Sequence, residues 1–536
     1  MTVSAAPATA PRRWVPAVYS LVLALAVTGP LLAPGYLLLR DAVSTPRSYL
    51  SDAALGLTQA APRALPQDFA IALLSRVVDG GVLVKLLLIG GLWLAGWGAA
   101  RLVAEVLPEA GVGGQCVAAT LIVWNPYVAE RLLQGHWSLL VGYGCLPWVA
   151  AMMLQRRYWP VAFWIALAGL TPTGLLLATV VALVCCRGWR AVAITSLTAV
   201  AVASPWLVAA AVADSLSSTA GAGVSAFAAR AEPGLATLGS LAGLAGIWNG
   251  EAVPASRATL FALVGTVVLV AVVALGLPAA IRRPQARPLL VLAVAAVVLP
   301  AAMATGPGMA ALEATMRAVP GLGLLRDGQK WVALAAPGYA LAAAGIARWG
   351  RSAAVLACAT LIAVLPDLAW GVGGQMRSVT YPAGWTTVAA MIEADPRPVA
   401  VLPPDSMRRF DWAGEAPVLD PLPRWVSADV LSSGDLVIGG QTVPGEGARG
   451  REATRLLLEG ASRGQLAEAG VGWVVVESGS GALDLPVAYR DGDISLYDVG
   501  GTAPAASGRG LLIAAHVLWL VILVAAGVGA LVTRRR

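Results

Sequence analysis

Seven residues in three short segments of this 536-residue chain have types and spacing suited to chemistry. Asp41 follows Arg40 at the end of an apolar run, and a carboxylate held at the lip of a cavity can take a proton from a hydroxyl as a general base. Its other reading is a residue that ends the run or pairs with Arg40. The segment from Asn125 to Trp137 carries Glu130, Arg131, His136 and Trp137 in what reads as a short loop. An imidazole there can hydrogen-bond a substrate, while an indole can stack on a ring or anchor among headgroups. The third segment, Gly323 to Trp331, holds Arg326 and Lys330 four residues apart. On a helix that spacing sets both cations on one side, where they can hold a phosphate or, alternatively, snorkel toward lipid headgroups. Lys85 and Lys330 are the only lysines against an arginine background, which singles Lys330 out.

These residues need elements to position them, and the composition says what kind. Apolar residues make up 58% of the chain and charged ones only 12%, against roughly 45–50% and about 25% in soluble domains. A water-soluble enzyme is excluded, and the bilayer is the solvent to reason with. Requiring about 20 mostly apolar residues per crossing, the chain reads as twelve spans, near 14–39, 81–100, 114–129, 138–154, 158–171, 174–186, 191–213, 258–281, 288–304, 331–347, 352–371 and 510–533. The first is too long for the apolar core of a cleaved signal peptide and reads as an uncleaved span. With the N-terminus cytoplasmic, every short inner loop carries arginine: Arg12, Arg13, Arg101, Arg156, Arg157, Arg187, Arg190, Arg282, Arg283, Arg287, Arg348, Arg351 and Arg534 to Arg536. Those 15 arginines face only Glu105 and Glu109 inside, leaving 22 of the 37 basic residues against 28 of the 30 acidic ones elsewhere. The net charge of +7 therefore reports orientation, and no nucleic-acid partner is expected.

Between 40 and 80 the outer loop should hold an amphipathic helix in the interface, with Ala70, Ile71, Leu74, Val77 and Val78 on one face. The stretch 372–509 before the last span is long enough for an outer domain of mixed α/β pattern. Val399–Leu402, Leu436–Ile438 and Gly472–Val476 read as strands, Val487–Val499 as a hairpin, and Trp385–Ala394 and Glu452–Ala469 as helices. It shows no nucleotide-binding glycine signature, no Ser-x-x-Lys and no Gly-x-Ser-x-Gly. Five scattered cysteines and two histidines give neither a disulfide framework nor a zinc spacing.

At the three clusters the chain resembles actinobacterial multi-span membrane proteins and, more distantly, polyprenyl-phosphate-sugar-dependent glycosyltransferases of the GT-C superfamily. The residues that carry the resemblance are Gly35 to Asp41, the first-loop helix with Pro62 to Pro66, Asn125 to Trp137, and Leu325 to Trp331. The resemblance implies a GT-C-like helical membrane module over 1–371, with the outer α/β domain inserted before a last span at 510–536. Asp41 matches the acidic general base of such enzymes, and Arg326 and Lys330 match the residues that hold the donor phosphate. Glu130, Arg131, His136 and Trp137 are the candidate substrate contacts. The implied reaction moves a sugar, arabinose or mannose, from a polyprenyl phosphate to an envelope glycan or glycolipid on the extracytoplasmic face, with inversion. It needs no nucleotide or redox cofactor. Asp41 is followed by Ala42 where many relatives have a second acid, which argues against a metal requirement without closing the question. A flippase of lipid-linked saccharide and a non-catalytic scaffold remain alternatives, although the scarcity of charges at mid-membrane weighs against transport.

Overall fold

The computed structural model describes residues 14–58, 64–212, 223–319, 322–438, 441–443, 445, 447–477, 483–503 and 506–533. Arg12, Arg13, Pro62, Arg63 and Arg534 to Arg536 lie outside the described residues. The chain is mainly helical, with a mixed β-sheet near its C-terminus.

Apolar sequence makes the helices, and polar caps set their ends. Asp79 accepts from the Val82 amide at the start of Gly80–Val106, and Thr171 accepts from the Gly174 amide at the start of Pro172–Cys185. That cap is why Thr171 to Gly174 separates two helices, Tyr158–Ala168 and Pro172–Cys185. Small residues bring spans together: a Cβ on Gly144 would sit 2.2 Å from the Gly91 carbonyl oxygen, so Trp137–Leu154 and Gly80–Val106 pack backbone to backbone.

Among the described residues six helical stretches are long and apolar enough to cross a membrane, and three bent pairs raise the number to nine. Each of the twelve expected segments contains helix, but the helices Gly111–Val123, Tyr158–Ala168 and Pro172–Cys185 have 13, 11 and 14 residues. At about 1.5 Å per residue none alone matches a core of about 30 Å.

The first span is also shorter than hydropathy suggests. Its helix ends at Thr28 and a 3₁₀ turn ends at Leu32. Pro30 and Pro34 break the ladder. Tyr36–Leu39 is then a strand, paired antiparallel with Ala42–Val43 and with Ser378–Val379. In the first loop the helix is Gln67–Leu74. Ile71 faces inward while Leu74, Val77 and Val78 face outward, Val77 being 89% exposed, so the expected apolar face is divided between protein and surroundings.

The main sheet has five strands in the order Val487–Arg490, Ile494–Asp498, Trp473–Glu477, Val399–Leu402, Val430–Leu431. Trp473–Glu477 runs antiparallel to Ile494–Asp498 and parallel to Val399–Leu402. Side chains alternate across it. Val399, Val401, Trp473 and Val475 pack on the Ala383–Ala394 helix, while Ala400, Val474 and Val476 pack on Ala448–Leu458 and Arg463–Glu468. The helix expected over 452–469 is thus two, parted at Gly460 with φ +72°. Leu436–Ile438 pairs with Gln441–Val443 in a separate ribbon.

Candidate active site

Arg40 and Asp41 form the two-residue turn of the hairpin Tyr36–Leu39 to Ala42–Val43. Arg40 has φ +49°, in the left-handed region, which costs a non-glycine residue roughly 1–2 kcal/mol. Contacts on every side hold it there. Its amide donates to Pro417 O at 3.0 Å and its carbonyl accepts from the Leu419 amide at 2.9 Å, so a sheet-region strand docks on the turn. Its buried guanidinium donates to Leu133 O and Glu251 O, each at 2.7 Å. The Asp41 amide donates to Gln134 O at 3.1 Å.

Asp41 is thereby aimed at the Asn125–Trp137 segment. His136 Nε2 lies 2.9 Å from Asp41 Oδ2, and Gln134 Nε2 donates to the same oxygen at 3.0 Å. The Asp41 side chain is 34% exposed, and among the described residues its Oδ1 has no hydrogen-bond partner. Burial would raise its carboxyl. The hydrogen bonds from His136 and Gln134 and the charge of Lys330 reverse that, and hold it below the usual carboxylate range.

Glu130 and Arg131 are not in an outer loop. They lie on a short helix, Pro126–Leu133, whose every residue is buried. Asn125 starts it by accepting from the Val128 amide at 3.1 Å, and its Nδ2 satisfies Leu121 O and Ile122 O where the preceding helix stops. Glu130 accepts from the amides of Gly246 and Ile247 and from Gln329 Nε2, at 3.0, 3.2 and 2.9 Å. With both oxygens engaged and no exposure, Glu130 anchors a loop and offers nothing to a substrate. Trp137 is 3% exposed, so the face expected for a sugar is covered by protein.

Arg131 binds Asp327 bidentately, at 3.0 and 3.1 Å, bonds Gln329 Oε1, and donates from Nη1 to His136 Nδ1 at 3.1 Å. A guanidinium only donates. His136 Nδ1 must therefore accept, which leaves the imidazole proton on Nε2, facing Asp41. Burial, against the pull of Asp41, lowers the imidazole below its ordinary value, so it is neutral at pH 7. Asp327 is driven up by burial and, more strongly, down by the charges of Arg131 and Lys330, and is ionised. Lys330 Nζ is 3.6 Å from Asp327 Oδ2 with its side chain 23% exposed. Arg326 lies over the Phe227 ring at 4.1 Å. Arg326 lies in the bend just after the 3₁₀ turn Leu322–Leu325 and Lys330 within the next, Gly328–Ala335, and not on one helical face as expected.

The sequence clusters thus converge: Asp41, His136, Arg131 and Lys330 form one connected group. Three partners, Gln134, Asp327 and Gln329, lay inside the segments already marked. Asn249, which donates to Gln134 Oε1 at 2.8 Å, comes from a loop that no sequence signal marked. Among the described residues no three His, Cys, Asp or Glu side chains converge as they would around a metal ion.

With the geometry in place, comparison with known proteins adds one observation. No protein-family model matches the chain, and no curated protein matches it. Among solved structures it is similar to the cryo-EM structure of the arabinofuranosyltransferase AftD from Mycobacteria, with a TM-score of 0.58 at 18% sequence identity. The match covers 93% of this chain but 40% of the AftD chain. The shared property is the fold: this is a multi-span membrane protein with an AftD-like architecture.

Proposed function

We propose that the protein is a GT-C-type glycosyltransferase that moves a sugar from a polyprenyl phosphate to a hydroxyl of an envelope glycan or glycolipid. The observation that carries the reading is the Asp41 carboxylate. It is ionised, has one oxygen held by His136 and Gln134 and the other open, and stands beside the lysine of a cationic segment. Arginine in the short loops on the opposite side supports an extracytoplasmic site, with residues 372–509 read as an outer domain.

The acceptor hydroxyl gives its proton to Asp41 Oδ1 as its oxygen bonds to the anomeric carbon. The bond from that carbon to the phosphate oxygen breaks, and the polyprenyl phosphate leaves with the electron pair, inverting the carbon. Lys330 and Arg326 hold the departing phosphate. Asp41 and Asp327 carry two negative charges, Arg131 and Lys330 two positive ones, and neutral His136 none, so these five side chains present no net negative charge to an anionic donor.

Transfer from a synthetic polyprenyl-phosphate arabinofuranose by the purified full chain tests this. Asp41→Asn removes the base and lowers kcat by roughly 10²–10⁴-fold. Full activity of Asp41→Asn would sink the assignment, and movement of intact donor across vesicles without transfer would favour the flippase.

A further inference from the structure

We propose that Trp248 is the platform on which the ring of the transferred sugar stacks. The inference rests on the glycosyl-transfer reading and gives the donor's sugar a place separate from its phosphate and lipid.

The loop around Trp248 is fixed on both sides. The amides of Gly246 and Ile247 donate to Glu130, and Asn249 Nδ2 donates to Gln134 Oε1, whose Nε2 holds Asp41. Two residues further on, Glu251 O accepts from Arg40. With the backbone held, the side-chain directions follow: Ile247 is buried in the protein's hydrophobic core, whereas its neighbour Trp248 is half-buried. The indole meets Phe227 edge to face, with centroids 4.7 Å apart at 66°. Phe227 in turn carries the Arg326 guanidinium over its ring.

Contacts and one peptide link thus connect Arg326 through Phe227, Trp248, Asn249 and Gln134 to Asp41. In a displacement with inversion the anomeric carbon lies between the leaving phosphate and the attacking hydroxyl. If Arg326 holds the phosphate and Asp41 the hydroxyl, the sugar lies between them, and Trp248 belongs to the chain of contacts that joins the two. A neutral sugar ring offers C–H groups and no charge, so an indole face held by a second ring is the matched recognition element. Trp137, the indole that sequence alone favours for this role, is buried.

The test measures binding of two probes to the full chain in nanodiscs: farnesyl phosphate, and farnesyl phosphate carrying arabinofuranose. The read quantity is the ratio of the two affinities in one preparation, which does not change with the folded fraction. Trp248→Ala is expected to lower affinity for the sugar-bearing probe at least tenfold and for farnesyl phosphate less than twofold. Trp248→Phe, which keeps a ring, should stay within about threefold of wild type on both, and Arg326→Ala should weaken both alike. An unchanged ratio in Trp248→Ala would overturn the platform, as would a rise in acceptor KM with the ratio intact. A wild-type chain that binds neither probe would instead sink the transferase reading beneath it.

Discussion

Asp41 and His136 face each other across one hydrogen bond, and either could be taken for the proton acceptor. The contact behind the imidazole decides between them. Because Arg131 donates to Nδ1, a neutral His136 has no free lone pair toward Asp41, and protonating it would set a second cation beside Arg131. In the proposed reaction Asp41 is therefore the base and His136 a positioning residue. Two outcomes follow for the dependence on pH. The rate of sugar transfer should show no inflection near the ordinary imidazole value of about 6.5, and should hold until pH reaches the depressed range of Asp41. His136→Gln, which keeps a donor toward Asp41, should leave that profile in place. His136→Ala, which removes the bond that lowers the Asp41 carboxyl, should move the acid limb upward. A wild-type inflection between pH 6 and 7 that vanishes in His136→Gln would make His136 the base. Stability changes with the same sign. Both groups bind protons less readily folded than unfolded, so the unfolded state takes up protons first and acid destabilises the fold. The His136 contribution fades as pH falls below about 6.5, and that of Asp41 between about 3.9 and its lower folded value.

At the scale of elements, the site is a turn clamped between two partners. On one side Gly135, with φ +82°, lies against the hairpin: a Cβ there would sit 2.3 Å from both Ala42 N and Leu39 O. Gly135→Ala should cost more than about 2 kcal/mol and abolish transfer together with the Asp41 geometry, measurable as a lowered Tm and lost turnover. On the other side, the Leu419 amide points at Arg40 while the strand pairs through Met407 with its other edge. Leu419→Pro deletes that donor alone, so it should reduce kcat at least tenfold while the sheet region keeps its protease resistance. This clamp also marks how far the sequence could be read. Asp41, His136 and Lys330 stood out because a carboxylate, an imidazole and a rare lysine interrupt apolar or arginine-dominated surroundings. Glu130 and Arg131 were misread as loop residues because their charge looks solvated in one dimension. Their partners, Gly246, Asp327 and Gln329, stand 116 to 199 residues away along the chain. Tyr36–Leu39 is as apolar as the span before it, so hydropathy cannot separate strand from helix there; only Pro30, Pro34 and the φ +109° of Gly35 mark the change.

At the scale of the whole molecule the question is how the chain threads the bilayer so that Asp41 and Gln134 meet. Helix Gly80–Val106 starts beside the hairpin, where Tyr36 OH donates to Asp79, and ends near Glu109, which pairs with Arg283 at 2.7 Å. The chain must then return to Gln134 within residues 111–134. Two helices cover that return, Gly111–Val123 and Pro126–Leu133, which we read as one broken span, with Asn125 capping the carbonyls freed at the break. That return accounts for a charged helix buried just beneath the site. The pair Tyr158–Ala168 and Pro172–Cys185 begins and ends on one side whether it crosses twice or turns back, so it leaves the orientation of later segments unchanged. Exposed Trp159, Trp189 and Trp349 lie next to arginines at the face opposite Asp41, with Arg348 4.5 Å above the Trp349 ring, as expected of an arginine-rich cytoplasmic interface. With the native cysteines replaced, Asp493→Cys, at the exposed tip of the sheet-region hairpin, should react with an impermeant maleimide on intact cells. Arg282→Cys, in the exposed turn between Phe261–Ala280 and Arg287–Met303, should react only after the membrane is opened. Labelling of Arg282→Cys from outside with Asp493→Cys protected would break the broken-span path, since one crossing fewer between residues 106 and 134 inverts every later segment.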